Sequence, residues 1–408
     1  MNRANADTRG TSAPEPNPRR NPSRLSEELG MADRPLSVCI LTSQYFGSGK
    51  IGGFGSMSRS LAESLAAREI PASVIVPRRF DEPFRERLKG VEVLRFPPLG
   101  FLKALSLLKA SAATVFHSQD PTLLTALARW ARPEAAHVVT CRDPRDRRDW
   151  LVEFQHTTWD RRVRLPRNWF FEVGPLVRWG VRRADAIYTP APFLQEKVRR
   201  VFHPRLPVKL IPNLIDVPDT SVPKGSRPVL TFVGRLDPRK HPELFLDLAE
   251  RFPQAEFQVV GRAESARRDA ELRRRYGGRP NVRWIGYVDR FQEPARMSAI
   301  LSRTWVLVNT SYREGLPLTF LEAAAHECAL VSALNADDMT ERFGIHVKDG
   351  DFFGAVQALL SQPEVVRAKG RSAWEYVLRV HGKDKATEAH LAAYGEALER
   401  SRRRRAGS

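Results

Sequence analysis

Short runs of large apolar residues alternate with amphipathic stretches along most of the chain. "SVCILTS" (37–43) reads as a strand buried on both faces. "MSRSLAESLAARE" (57–69) then sets Met57, Leu61 and Leu65 at helical spacing. "ASVIVP" (72–77), "VEVLRF" (91–96), "ATVFHS" (113–118), "HVVTC" (137–141), "DAIYT" (185–189) and "VKLIP" (207–211) continue the strand series, with helical patterns filling most of the gaps. "IPNLIDVPDTSVPKGSRP" (211–228) holds four prolines and reads as an interdomain linker. The alternation then restarts with "VLTFVG" (229–234), "EFQVVG" (256–261), "NVRWIG" (281–286), "WVLVNT" (305–310), "ALVSA" (329–333) and "IHVKD" (345–349). The prediction is an α/β protein of two Rossmann-like, doubly wound halves, each a parallel sheet covered on both faces. Two facing sheets put a ligand in the cleft beyond the carboxyl ends of their strands.

Outside this pattern lie the first 34 residues, polar and rich in Pro and Arg. They are too poor in apolar surface to fold and are expected to be disordered. Met31 stands just before the first strand and is a second candidate start. The last residues, 403–408, read as a basic tail.

Composition narrows the function classes. A formal charge of +19 attracts anions without choosing among nucleic acid, lipid headgroups and phosphorylated small molecules. Cys39, Cys141 and Cys328 fit no metal-ligand spacing and read as buried thiols of a reducing compartment. No transmembrane span and no signal peptide is predicted, so the expected location is cytoplasmic.

Three stretches carry candidate chemistry. "SGKIGGFGSMSR" (48–59) follows the first strand and opens a helix, where Gly52 and Gly53 let backbone N–H groups approach an anion. It matches neither a Walker loop nor G-x-G-x-x-G, and an ordinary Gly-rich turn is the competing reading. "FVGRLDPRKHPELFLDLAE" (232–250) ends a strand at Gly234, then sets Arg235 and Lys240 near a helix start, where a bound polyanion explains them. "REGLPLTFLE" (313–322) places Glu314 in the turn after a strand and Glu322 inside a helix expected over about 316–326. Backbone N–H groups around Gly315 and Leu316 would point toward the same place as Arg235 and Lys240. Carboxylates are rarely buried without partners. The two glutamates are explained if they accept hydrogen bonds from sugar hydroxyls on either side of a diphosphate.

With these residues the chain resembles the GT-B glycosyltransferases, in particular the retaining family 4 type. "EGLPLTFLE" has the spacing of that family's Glu-x7-Glu motif, and "VGRLDPRK" matches its Gly-Arg…Lys. "IGGFGS", "IPNLID" and "NVRWIGYV" match its first-strand loop, linker and a later strand. The similarity spans about 36–400 and is most specific in the second half. It implies two Rossmann-like domains: 35–212, on the acceptor side, and 213–380, on the donor side, with a helix over about 381–402 returning to the first. It implies a nucleotide-sugar donor of UDP or GDP type, no cofactor and no metal. Arg235 and Lys240 would neutralise the leaving diphosphate, Glu314 would bind donor-sugar hydroxyls, Glu322 would bind the ribose and Gly53 would approach the phosphate. His117, in "VFHSQDP", matches a histidine that faces the donor sugar. Two departures bear on the acceptor, a glycan, lipid or small molecule. Arg142-Asp143 replaces a His-Asp pair, and "HECAL" replaces a Gly-Pro turn.

Residues 142–183 hold eleven arginines and four of the eight tryptophans. That mix suits an anionic membrane interface or single-stranded nucleic acid, with a solvated loop and helix as the plain alternative. No RNP, KH or helix-turn-helix signature supports nucleic acid. The expected activity is hexosyl transfer with retention. A GT-B-like nucleotide-sugar epimerase and a non-catalytic basic binding protein are the alternatives.

Overall fold

The computed structural model describes residues 35–45, 53–79, 82–155, 159–220 and 223–407. The first half builds one sheet from β1 (Val38–Leu41), β2 (Ala72–Pro77), β3 (Arg85–Leu88), β4 (Val91–Phe96), β5 (Val115–Ser118), β6 (Ala136–Thr140), β7 (Ala186–Thr189) and β8 (Val208–Leu210). Their order is β3-β4-β2-β1-β5-β6-β7-β8. All neighbours are parallel except β3 and β4. The second half builds a wholly parallel sheet from β9 (Val229–Val233), β10 (Glu256–Val260), β11 (Val282–Gly286), β12 (Val306–Asn309), β13 (Ala329–Ser332) and β14 (Gly344–His346), in the order β11-β10-β9-β12-β13-β14. Each sheet reverses its winding once, between β1 and β5 and between β9 and β12. Ligands of doubly wound sheets bind at those switch points.

The apolar runs form these strands because both faces of each sheet are covered. On β5 the alternation is explicit. Val115 and His117 face one layer, while Phe116 packs with Cys39, Leu41, Ala104 and Leu108 in the other. The sequence reading missed β3, "RERL". It is a four-residue charged edge strand, reached through a tight turn at Lys89 and Gly90, both with positive φ. Its charge has a use. Glu86 pairs with Arg95, a β4 arginine whose side chain is fully buried and whose Nε lies 3.2 Å from Glu82.

The chain crosses between the halves at two adjacent places. Ile215 N–H donates to His381 O at 2.9 Å, and Lys383 N–H donates to Ile215 O at 3.0 Å. The helix Pro363–Val380 packs on the second half, against β13. After the crossing, the terminal helix Lys383–Ala406 lies on the first sheet, against β6. Its Ala393 and Ala397 are buried and small, which lets the backbone come close. Ser64 and Thr387 share a buried hydrogen bond at 2.7 Å, and Tyr188 donates to Glu396 at 3.1 Å. The helix continues through the arginine run to Ala406, so residues 403–406 are its last turns instead of a separate tail. Cations suit a helix C-terminus, and Arg404 also reaches Asp185 at 3.1 Å.

Tyr394 on the terminal helix hydrogen-bonds His117 Nδ1 at 2.8 Å in the core. Tyr394→Phe should lower stability by about 1–3 kcal/mol, read as an earlier urea midpoint, with nucleotide affinity unchanged. A loss of affinity at unchanged stability would instead tie this pair to the ligand.

Candidate functional site

The switch point of the second sheet gathers the polar residues. β9 ends before Gly234, and the loop 234–241 leads into the helix Pro242–Arg251. β12 ends at Asn309, and the loop 310–317 leads into the helix Leu318–Ala324. The loops are stitched together. Thr310 Oγ1 donates to the carbonyls of Lys240, at 2.7 Å, and His241, at 2.8 Å. Tyr312 N–H donates to Arg239 O at 3.2 Å.

This stitching brings Glu314 and Lys240 together. Three donors converge on Glu314 Oε1: Lys240 Nζ at 2.5 Å, Ser311 Oγ at 2.8 Å and Asn309 Nδ2 at 3.2 Å. Oε2 accepts no hydrogen bond among the described residues. Burial opposes ionisation here, but the Lys240 charge and these hydrogen bonds outweigh it and hold the Glu314 carboxyl below its usual range. The N–H groups of Gly315 and Leu316 also make no hydrogen bond among the described residues, while the Leu316 side chain packs on the apolar cluster around Phe320.

Glu322 lies one turn into its helix, on the same face as Leu318. Arg290, from the loop after β11, pairs with Glu322 Oε1. Glu322 Oε2 is buried and has no partner among the described residues. Burial raises this carboxyl above its usual range, and Arg290 offsets only part of that. The helix Gly53–Ala66 of the first half approaches the same face. A Cβ on Gly53 would lie 4.0 Å from Leu318 Cβ. Gly52 lies outside the described residues.

Arg235 is half exposed, 3.2 Å from Asp237 and 3.5 Å from Glu264. Asp237 was not singled out in the sequence, yet it organises the loop. It is buried, lies 3.1 Å from Arg239, accepts from Lys240 N–H at 3.2 Å, and is held below the usual carboxylate range by Arg235 and Arg239 against the opposing effect of burial. An Asp three residues before Lys240 is the signal that could have marked it.

Gly261 was also missed, because a glycine ending a strand is unremarkable by itself. It adopts φ +144°, and a Cβ there would sit 1.8 Å from the Gly234 carbonyl oxygen. A Cβ on Gly234 itself would make only ordinary contacts, at 3.6 Å. The fold therefore requires Gly261, whereas Gly234 has room for a Cβ.

The first half closes over this site. Arg313 bonds Asp143 at 2.5 and 3.1 Å, and its Nε lies 2.9 Å from Asp149. Arg239 bonds Glu153 at 2.7 Å. A Cβ on Gly315 would meet the Arg142 carbonyl at 2.4 Å, so glycine lets the two halves touch. The Arg142 side chain reaches Gln119, just past β5, and Asn213 in the linker. It is buried, bonded to Gln119 Oε1 at 3.0 and 2.5 Å and to Asn213, and burial draws it down to about 10. Asp120, at the end of β5, accepts from Arg142 N–H at 3.2 Å. Burial and the neighbouring Asp143 push Asp120 up to about 8.

His117 is not brought to the cleft. Its side chain lies beneath the terminal helix, with Nδ1 bonded to Tyr394 and Nε2 to Thr140, both at 2.8 Å. Burial, then His390 and Arg142, keep the imidazole well below its usual pKa and neutral. The family resemblance implied a cleft histidine, but the period-two alternation of β5 turns this one inward. Among the described residues, no group of three or more His, Cys, Asp or Glu could hold a metal ion.

Two outcomes follow from this geometry. Gly261→Ala should cost roughly 3 kcal/mol, from strain and overlap, while Gly234→Ala should melt near the parent temperature and lose nucleotide affinity; thermal melts with and without nucleoside diphosphate separate them. Asp120, with its folded-state pKa raised, destabilises the fold increasingly as pH rises from the ordinary carboxylate range through about 8. Asp120→Asn should therefore match the parent near pH 4 and melt progressively higher than it toward pH 9. A constant difference across that range would contradict the assignment.

Two family models match the chain: "Glycosyl transferase 4-like domain" over residues 52–214 and "Glycosyl transferases group 1" over residues 227–362. No curated protein matches by sequence. Among solved structures, a sucrose-phosphate synthase from Thermosynechococcus elongatus aligns with TM-score 0.66 at 19% identity, covering 91% of this chain and 100% of that one. Anabaena HepE in complex with UDP and glucose aligns with TM-score 0.63 at 15% identity, covering 88% and 98%. The pneumococcal O-GlcNAc transferase GtfA in complex with UDP and GlcNAc aligns with TM-score 0.61 at 12% identity, covering 89% and 99%. These likenesses establish the fold as GT-B. The two matched segments, one in each half and together most of the chain, establish the rest: the protein belongs to the group 1, family 4-like glycosyltransferases.

Proposed function

We propose that this glycosyltransferase moves a hexosyl group from a nucleoside-diphosphate sugar to an acceptor hydroxyl, with retention and without a required metal. The observation that carries the donor reading is the pair of carboxylates at the β9/β12 switch point. Each has one oxygen bound by a protein cation; among the described residues the other accepts no hydrogen bond, and that of Glu322 is buried. A buried acceptor without a partner is costly, and a ligand hydroxyl is a donor that would satisfy it. On this reading Glu322 Oε2 accepts from the ribose and Glu314 Oε2 from the transferred sugar. Between them, Lys240, Arg235 and the N–H groups of Gly315 and Leu316 face the diphosphate. HepE and GtfA, both similar in fold, were crystallised with UDP, which favours a UDP-type donor.

The chemistry asked of these residues is charge stabilisation. Breaking the glycosidic bond to the diphosphate leaves negative charge on the departing phosphate and positive character on the sugar. Lys240 has three N–H donors and can keep one on Glu314 while turning another to the phosphate oxygen. The ionised Glu314 sits on the side where positive sugar character develops. A cation at the leaving group takes the part that a divalent metal could otherwise play, which is the basis for proposing metal independence. Closure through Arg313 and Arg239 would exclude water and limit hydrolysis of the donor.

Calorimetry with nucleotide sugars and free diphosphates, alongside turnover with a competent acceptor, tests the assignment. Glu322→Ala should weaken both the nucleotide sugar and the free nucleoside diphosphate by about ten- to a hundredfold. Glu314→Gln should leave diphosphate affinity nearly unchanged while turnover falls by a similar factor. Lys240→Ala should depress turnover more than ground-state affinity, because leaving-group charge grows during cleavage. Parent-like affinity and turnover in all three variants would overturn the reading, and conversion of the donor alone, without acceptor, would point to an epimerase.

A further inference from the structure

The segment 147–183 sorts its side chains by chemistry. Two of its acids turn inward: Asp149 holds Arg313 and Lys197, and Glu153 holds Arg239, while the partly exposed Glu172 lies 3.4 Å from Arg145. Five of its arginines turn outward. Arg147, Arg148, Arg164, Arg167 and Arg182 are exposed and have no ion-pair partner among the described residues. Large apolar side chains are exposed beside them. Leu151 and Phe154 share one face of the helix Arg147–Gln155, and Trp159 follows at 74% exposure. Trp169 and Phe170 protrude from the helix Leu165–Val173.

A second part of the chain joins this surface. Phe171 stacks on Phe101, with ring centroids 5.6 Å apart, and Phe170 packs edge-on against Phe171. Phe101 begins the helix Phe101–Ala110, whose Leu102 is 85% exposed and whose Lys103 is also exposed; Leu99, just before it, is 64% exposed. Leu99, Leu102 and Phe170 therefore flank one aromatic contact. Among the described residues, no helix is long and apolar enough to cross a membrane.

We propose that this face of the first half docks on the surface of an anionic lipid bilayer, with the aromatic and leucine side chains entering the headgroup boundary and the arginines pairing with lipid phosphates. The charge sorting selects this occupant. A surface of repeated anions answers unpaired arginines spread over several helices, and the exposed leucines and phenylalanines beside them suit the acyl boundary of a bilayer over a nucleic-acid backbone. Trp and Arg suit the boundary because each has an apolar body and a polar end. The helix Arg147–Gln155 also supplies Asp149 and Glu153, which hold the donor-side loops, so docking sets the cleft mouth beside the bilayer.

Flotation of the full chain with phosphatidylcholine vesicles, with and without phosphatidylglycerol, at low and at high salt, tests this. The expected result is recovery with the anionic vesicles only, reduced by salt. Leu102→Ser/Trp169→Ser/Phe170→Ser should abolish it, and each neutralisation in Arg164→Gln/Arg167→Gln should lower partitioning by about fivefold. These residues are exposed, so both variants should keep the parent melting temperature and the parent nucleotide response. Binding that is equal with neutral vesicles, or unchanged in the apolar variant, overturns the proposal. So does self-association, read by light scattering, that the apolar variant dissolves, because the occupant would then be a second copy of the chain.

Discussion

A carboxylate held in the interior at the end of β12 is the constraint on which the candidate site rests. Glu314 cannot stay ionised there unless donors reach it, and no single element of the fold supplies them. Lys240 comes from the loop after β9, while Ser311 and Asn309 come from its own turn. The loops meet because β9 and β12 are neighbours in the sheet, with Leu230 opposite Val306 and Thr231 opposite Leu307. Thr310 then fixes the far loop by taking two of its carbonyls, and His241 turns the chain into the next helix with φ +44°. The strand order thus becomes a charge pair. All three donors use one oxygen, so the second remains open to a ligand.

The same turn governs how the halves meet. Gly315 follows Glu314 directly, and only its missing side chain allows the Arg142 carbonyl to approach. Arg313 precedes Glu314 and anchors the turn to Asp143 and Asp149 across the cleft. Three consecutive residues therefore close the domains, hold the site's carboxylate and leave room for contact. A change in the position of the first half is transmitted to Glu314 through two peptide bonds. A buried ion pair of this kind contributes less to stability than to the fixed geometry of the groups it joins, since desolvation offsets much of its attraction.

Most of the fold was legible because both sheets are parallel and covered on both faces. Such strands must be continuous apolar runs, and thirteen of the fourteen were found that way. The exception, β3, is antiparallel, charged and at an edge, so it has no apolar run to read. Glu314, Glu322, Arg235 and Lys240 were legible as candidates because they stand in the turns after strands or at the helices that follow, where charge interrupts an apolar pattern. Their partners were not. Arg290 is one arginine among many until folding brings it to Glu322, and Asp237 resembles any turn aspartate until it is seen buried between two arginines. His117 shows the opposite failure. The family resemblance implied that it faces the donor, but its side chain is taken up by a helix that arrives more than 270 residues later.

The overall charge of +19 is a poor guide to the donor site, and the pairing pattern explains why. Arg235, Arg239 and Lys240 lie among Asp237, Glu264, Glu153 and Glu314, so the loops that face the proposed diphosphate are close to electrically balanced. Such a site attracts a ground-state anion less strongly than bare cations would. It gains more when the anion's charge increases, because Lys240 is already held in place and need only shift its share of attraction from Glu314 to the departing phosphate. On the proposed reading, this favours the transition state over the bound donor, which is the condition for raising turnover rather than affinity alone. The unbalanced charge lies elsewhere, on the outward arginines of the first half. Long-range attraction therefore belongs to the proposed docking surface, and the proposed donor site relies on positioned, partnered charges.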